Sequence, residues 1–248
     1  MKDWYDISSS AVMTLHDFYG ERRNIVDTCL IILSTVLHDC LLSHYECSEI
    51  GRIHACNGDI VLYQTMYKDK KIAFYLSAIG SALASQACYE ASWLSGATKF
   101  VMCGSCGALD SEKVQGRYII PTEAYRGEGA SYYYAPESDY IEIKGHDLVC
   151  GVFERLHIPY VEGRVWTTDV MMRETRNLVN RRKQEGCIAV EMELAGVQAA
   201  CNFYGLQLYD FLEPGDVLDR DDYDCSLLAS ANHDERKLII ALEIAYEV

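Results

Sequence analysis

Two hydrophobic periods alternate along this chain. Short β-branched and aliphatic runs predict buried strands, and longer stretches with apolar residues every three to four positions predict helices. Residues 28–34 read as a buried strand and residues 36–47 as a helix. Residues 60–67 and 71–78 flank Lys68-Asp69-Lys70, which predicts a hairpin. Small and apolar residues at helical spacing fill 81–95 and stop at Gly96. A short strand, 99–103, runs into Gly104-Ser105, and a second covers 117–122. The pattern then gives a helix at 145–156, a strand at 160–168 and a charged helix at 174–185 that Gly186 closes. A strand at 188–191 leads into a helix at 194–204, followed by a strand at 206–212 and a terminal helix at 234–246. Residues 1–24 read as an N-terminal arm with a polar helix, attached to one domain spanning 1–248.

Alternating strands and helices predict an α/β fold with a sheet covered on both faces, a three-layer arrangement. In such sheets ligands bind at the carboxyl ends of strands. Gly104 and Ser105, Met192 and Glu193, and Asp216 each follow a predicted strand, so the candidate chemistry converges on one edge.

Composition narrows the function. At 248 residues, half of them hydrophobic, the chain has ample material for one large core. A formal net charge of −15 disfavours nucleic acid and anionic membranes as partners. The apolar run Cys29 to Leu37 is too short to span a bilayer, and residues 1–19 lack the basic-then-apolar pattern of a signal peptide. The eleven cysteines are scattered through apolar segments and odd in number, which predicts reduced thiols packed as small hydrophobes in the cytoplasm. Cys103 and Cys106 form a Cys-x-x-Cys, but no second pair completes a zinc set and no helix follows it. No metal site is expected.

The most informative segment is Val190-Glu191-Met192-Glu193-Leu194-Ala195-Gly196, two carboxylates inside an apolar stretch. Burying a carboxylate is costly unless something pairs with it. Glu193 is therefore either a ligand contact or a partner for a buried arginine such as Arg164 or Arg126. Glu191, one step earlier on the strand, reads as structural.

This segment resembles the ribose-binding signature of the nucleoside phosphorylase superfamily, which includes hexameric purine nucleoside phosphorylases, uridine phosphorylases and nucleosidases. Two further blocks match in order and spacing: Cys103-Gly104-Ser105-Cys106-Gly107-Ala108-Leu109, and Ile119-Ile120-Pro121 with Arg126-Gly127-Glu128-Gly129-Ala130-Ser131 and Ala135-Pro136. The resemblance covers residues 58–248. It implies a mixed sheet curled toward a barrel, cleavage of the N-ribosidic bond of a nucleoside, no cofactor beyond phosphate as a co-substrate, and homo-oligomers built from dimers, up to trimers of dimers.

By the same resemblance Glu193 holds the ribose hydroxyls and Met192 packs on the sugar face. Asp216 is the acid that protonates a leaving purine, with Asp219 as fallback and Arg220 able to modulate it. Ser105 and the backbone N–H groups of a Gly104-Ser105 turn hold the nucleophile, whether phosphate or water. Trp166, Thr167, Thr168, Met171 and Val190 wall the base. A purine is favoured over a pyrimidine, because the Gln/Arg pair that reads a uracil edge is absent from residues 171–176.

The chain departs from the family pattern where phosphate binds. Met102 replaces an arginine, Leu33 to His38 replaces a glycine-aspartate loop, and Gly58 stands where a neighbouring subunit lends an arginine. His38, Arg52 or Arg126 could compensate, or water could replace phosphate with His38 or Asp39 as the nearest base. A non-catalytic nucleoside-binding relative is the alternative, and a Cys-x-x-Cys redox protein a third class. Tyr132, Tyr133 and Tyr134 occupy an aromatic run in which relatives carry a histidine; at an interface such residues are enriched.

Overall fold

The computed structural model describes residues 5–248. Ten strands form one mixed sheet: β1 (Thr28–Ile32), β2 (Cys47–Ile53), β3 (Ile60–Tyr67), β4 (Lys70–Leu76), β5 (Lys99–Ala108), β6 (Tyr118–Gly127), β7 (Tyr140–Glu142), β8 (Tyr160–Thr168), β9 (Cys187–Glu191) and β10 (Gln207–Val217). The helices are α1 (Leu15–Tyr19), α2 (Thr35–His44), α3 (Ser81–Ser95), α4 (Ser111–Val114), α5 (His146–Arg155), α6 (Arg176–Gln184), α7 (Leu194–Tyr204), α8 (Leu228–His233) and α9 (Glu235–Glu247).

The strand order is β10-β6-β8-β9-β5-β1-β4-β3-β2, with β7 on β6, and β10 also pairs with β5. That last pairing closes β5, β9, β8, β6 and β10 into a barrel. β5 makes the closure possible because its two edges are used differently. One edge carries β10 along its whole length. The other carries β1 from Lys99 to Cys103 and β9 at Gly107 and Ala108. The sheet therefore splits where β1 ends, level with Cys103.

Helices cover both faces, as the alternation predicts. Leu30, Ile32, Phe74 and Phe211 pack under α2, α5 and α9. Cys29, Ile31, Phe100 and Met102 join the core under α3 and α7. Those two helices approach closely because their contact is made of small residues: a Cβ on Gly196 would lie 2.7 Å from the Ser81 Cβ. Gly96 ends α3 in the left-handed conformation, φ 87°, where glycine carries no steric penalty.

Four differences from the sequence reading bear on the site. β5 continues through Gly104 to Ala108, and β10 continues through Pro214-Gly215 to Val217, with a register shift between Pro214 and Asp216. Glycine and proline read locally as punctuation, yet barrel closure keeps both segments extended. α2 stops at His44, and the polar segment Cys47–Ile53 is an edge strand. The short strand β7 pairs with β6, and the short helix α8 packs on β10 and β5. Of the arm, residues 1–4 lie outside the described residues. α1 is its helix, and Arg23 donates to the Ile50 carbonyl at 2.5 Å.

Candidate active site

β9 delivers Glu191 to the start of α7, and the carboxylate is used there. Its Oε2 accepts the backbone N–H groups of Glu193 (2.6 Å) and Leu194 (2.7 Å), donors that a helix start leaves unsatisfied. Thr167 Oγ1 donates to Glu191 Oε1 and accepts the Ala195 N–H at 3.0 Å. Both oxygens of Glu191 are thus engaged at the start of α7. Thr167 departs from the expected base wall: it is fully buried, with its hydroxyl committed to the α7 terminus.

Glu193 is 6% exposed. Its Oε1 accepts the N–H of Gly80, the N-cap of α3, at 2.6 Å. No arginine pairs with it. Arg164 Nε binds Glu123 at 2.6 Å, and Arg126 is spent on Ser131 Oγ and the carbonyls of Ala135, Pro136 and Ser138. Burial pushes the Glu193 carboxyl up, with the Gly80 N–H opposing. The Glu191 carboxyl is pushed up to about 8, by burial and then by Glu193. Asp210, which the sequence reading passed over, is a third buried carboxylate, 1% exposed, with neither oxygen hydrogen-bonded among the described residues. Burial, then Glu191 and Glu193, raises its carboxyl well above the usual range. A polar residue on β10 between the inward-facing Leu208 and Leu212 was the available signal.

Asp216 lies within β10, beyond the bulge. Its Oδ2 accepts the Tyr223 hydroxyl at 2.9 Å, and burial raises its carboxyl against that bond. Glu174, read only as the start of a charged helix, is pushed up to about 7 by burial and then by Asp216. The pair offers an acid that holds its proton toward neutral pH. Asp219 is built differently. Burial would raise it, but Lys183 Nζ at 2.9 Å and the Ser111 N–H at 3.0 Å hold its carboxyl below the ordinary value. That is an ion pair tying α6 to the loop after β10. Asp216 also borders a cavity of about 800 Å³ beyond β10, whose lining includes Arg220 but neither Glu193 nor Met192.

The nucleophile subsite differs most from expectation. Gly104 and Ser105 are paired in register with Leu212 and Glu213, so they form a strand rather than an anion-cradling turn. Ser105 Oγ donates to Asn232 Oδ1 of α8. Beside it Ser34 Oγ, which caps α2, lies 2.9 Å from His233 Nδ1. Two consecutive residues of α8 thus engage the two serine hydroxyls past the end of β1. The compensating cations are elsewhere: Arg52 forms a two-pronged pair with Glu49 at 2.7 and 2.8 Å, and Met102 is buried in the core. His38 lies against the rings of Tyr63 and Phe74, with Nδ1 3.4 Å from Asp39 Oδ1.

The base wall contracts. Trp166 and Val190 belong to a buried cluster with Leu109, Val179 and Cys187, and Thr168 is buried. Met171, 49% exposed, and the half-buried Met192 remain open to a ligand. Cys103 and Cys106 are buried free thiols. Burial pushes Cys103 up to about 12 and Cys106 well above its ordinary value, the opposite of a reactive thiolate. No group of three or more His, Cys, Asp or Glu suited to a metal ion occurs among the described residues. Tyr132 stacks on the Arg126 guanidinium, 4.1 Å from carbon to ring centre.

This geometry has counterparts. The guanosine phosphorylase of Halorubrum lacusprofundi is 26% identical over 160 residues, covering 62% of this chain and 64% of that protein. The DeoD-type purine nucleoside phosphorylase of Bacillus cytotoxicus is 26% identical over 155 residues, covering 60% and 65%. The matches thus span just under two thirds of these curated relatives. Three solved structures share the fold: Helicobacter pylori futalosine hydrolase (TM-score 0.73, 16% identity, 90% of this chain and 99% of that one), Campylobacter jejuni 5'-methylthioadenosine/S-adenosyl homocysteine nucleosidase (0.72, 18%, 90% and 100%), and Toxoplasma gondii purine nucleoside phosphorylase (0.73, 18%, 90% and 92%). The family model described as the phosphorylase superfamily matches residues 38–212, most of the barrel and the Glu193 segment included, and the chain belongs to that superfamily.

Proposed function

We propose that this protein cleaves the N-ribosidic bond of a purine nucleoside, with water in place of phosphate. The observation that carries the reading is Glu193: a buried carboxylate with no cationic partner among the described residues, oriented by the Gly80 N–H, beside the half-exposed Met192. Glu191, the structural carboxylate beside it, has both oxygens bonded by donors of the protein, whereas the one hydrogen bond of the Glu193 carboxylate among the described residues is from the Gly80 N–H to Oε1. A ribose-binding carboxylate has two hydroxyl donors when substrate arrives.

In this reading Glu193 accepts the ribose 2′- and 3′-hydroxyls and steadies the ring as it flattens toward an oxocarbenium ion. Met192 packs on the sugar and Met171 on the base. Asp216, its carboxyl raised by burial, donates to the departing purine, and Glu174 beside it, pushed up to about 7 by burial and then by Asp216, is a proton reservoir next to that acid. Water adds to C1′ from the opposite face as the C1′–N bond breaks, and the proton it loses passes to bulk water, from which Asp216 is reprotonated. The Ser105 region supports water over phosphate, because α8 already occupies the Ser105 hydroxyl and the buried cation nearby, Lys237, donates to the Ala231 carbonyl and faces Glu213 at 3.7 Å. The same observation supports the second reading, a nucleoside-binding relative without turnover. The working form in either case is a cytoplasmic homo-oligomer, dimeric or a trimer of dimers, formed from a single 1–248 unit and needing no metal.

A panel of purine and pyrimidine nucleosides, assayed for base release with and without phosphate, tests this. Release of a purine base with free ribose as co-product is expected. Binding without release selects the second reading, and preference for uridine removes Asp216 from its role.

A further inference from the structure

We propose, on the hydrolytic reading above, that Ser34 and His233 form the relay by which the attacking water loses its proton.

The placement of Ser34 supports the role. The last pair between β1 and β5 is Ile32 with Cys103, and Ser34 and Ser105 each lie two residues beyond it. The two segments stay close at this level, since a Cβ on Gly104 would lie 3.3 Å from Leu33 Cδ1. Glu193 belongs to the same edge. The Ser77 N–H bonds the Ile32 carbonyl at 2.8 Å, and Gly80, three residues on, donates to Glu193 at 2.6 Å. The two serines and the carboxylate proposed to hold ribose thus border the carboxyl ends of β1, β4 and β5, where open α/β sheets bind ligands.

The bonds at Ser34 are directional. Its Oγ accepts the Leu37 N–H at 3.3 Å and lies 2.9 Å from His233 Nδ1. A hydroxyl has one proton and two lone pairs. With one lone pair on Leu37 and the proton on His233, the second lone pair can accept a hydrogen from water. Ser105 is arranged otherwise: its proton goes to Asn232 Oδ1, an amide oxygen that takes up no proton. Ser105 can hold the water, but only Ser34 leads to a base. In the relay the water oxygen bonds C1′ as its O–H breaks. That proton moves to Ser34 Oγ, and the Ser34 proton moves to Nδ1 of a neutral imidazole. His233 is exposed, so the imidazolium returns the proton to bulk water.

The charges beside His233 are already committed. Asp234 pairs with Arg236 at 2.7 Å, and Lys237 donates to the Ala231 carbonyl and faces Glu213 at 3.7 Å. The bases nearest in sequence are placed elsewhere: His38 packs on Tyr63 and Phe74, and Asp39 beside it is exposed. His233 escapes a sequence reading because 199 positions separate it from Ser34.

Base release from adenosine, inosine and guanosine by wild type, Ser34→Ala, Ser34→Thr and His233→Gln, with and without sodium azide, tests the relay. His233→Gln can keep a hydrogen bond to Ser34 but takes up no proton, so kcat should fall about 10²-fold or more with KM and Tm little changed. Ser34→Ala should lose as much, and Ser34→Thr, which keeps the hydroxyl, less. Azide has no proton to lose. Its terminal nitrogen bonds C1′ as the base departs, so it should restore base release in Ser34→Ala and His233→Gln with ribosyl azide as product. His233→Gln at the wild-type rate, or a loss that azide leaves uncorrected, overturns the relay while the hydrolytic reading stands. Failure of the wild type to release base from any of the three, or ribose 1-phosphate as its product, removes the reading and the relay together.

Discussion

Replacing Glu193 with Gln separates the two readings of that residue by the sign of its effect on stability. The amide keeps a carbonyl oxygen to accept the Gly80 N–H at 2.6 Å, so the tie to α3 survives. It removes a buried charge that has no arginine or lysine beside it. If the carboxylate were half of a buried ion pair, breaking the pair would cost about 3–5 kcal/mol. Because it is unpaired, neutralising it should leave stability unchanged or raise it slightly. Function should move the other way. Hydrogen bonds to a charged acceptor contribute about 1.5–3 kcal/mol each, roughly twice those to a neutral one. Two ribose hydroxyls therefore lose about 1.5–3 kcal/mol together, or about ten- to a hundredfold in kcat/KM at about 1.4 kcal/mol per decade. Thermal unfolding and base-release kinetics on one preparation read both quantities. A Glu193→Gln protein with wild-type turnover and affinity refutes the ribose assignment, and one that unfolds several kilocalories more easily restores a structural role.

Three further outcomes follow from the same geometry. Glu191 has a folded-state carboxyl raised to about 8 against an ordinary 4.5, so the native state binds more protons between those values and this residue's contribution to stability falls as pH rises from about 4.5 to about 8; denaturant titrations across that window should show the slope shrinking in Glu191→Gln, which can keep the α7 bonds, and an unchanged slope counts against the buried charge. Asp216→Asn should lower purine release by about 10²–10⁴-fold, and the wild-type rate should fall as pH rises through the raised Asp216 value, both visible in a pH–rate series and both absent if another group is the acid. Phosphate should neither bind measurably to the Ser105 region nor change the product, and Asn232→Ala should leave this so, since freeing a hydroxyl adds no cation; tight phosphate binding, with ribose 1-phosphate as sole product, would point to an ordinary phosphorylase.

What was legible in the sequence depended on whether the cause was local. The hairpin around Lys68 and the ends of α3 and α6 at Gly96 and Gly186 follow from turn chemistry within a few residues. The Glu193 segment was legible because charge inside an apolar run is anomalous at any register. Thr167 and Trp166 were misplaced because their spacing gives a strand but not which face meets a ligand. Trp166 packs with Val179 and Val190, while Thr167 turns to Glu191 and α7. Asp210 was hidden for the opposite reason: an apolar strand pattern made one inward carboxylate look like noise. Gly104 and Ser105 read as a turn, and the strand 206–212 stops short of Pro214, because pairing between β5 and β10, more than a hundred residues apart, decides their conformation.

Barrel closure also bears on the chemistry. Extending β5 through Ser105 and β10 through Asp216 removes the free backbone donors that a turn would have aimed at an anion, and Met102 supplies no charge in their place. What remains is a row of hydroxyls, and α8 meets them with Asn232 and His233 rather than with an arginine. Neutral partners satisfy neutral hydroxyls, whereas a phosphate dianion brought there would surrender its hydration to meet one buried lysine, Lys237, which Glu213 already faces at 3.7 Å. Water suffers no such loss. Glu193 is proposed to recognise the sugar and not the nucleophile, so sugar recognition can persist while the nucleophile subsite changes. On the proposed reading, that independence lets a ribose-binding carboxylate at Glu193 coexist with a Ser105 region where Met102 stands in place of an arginine.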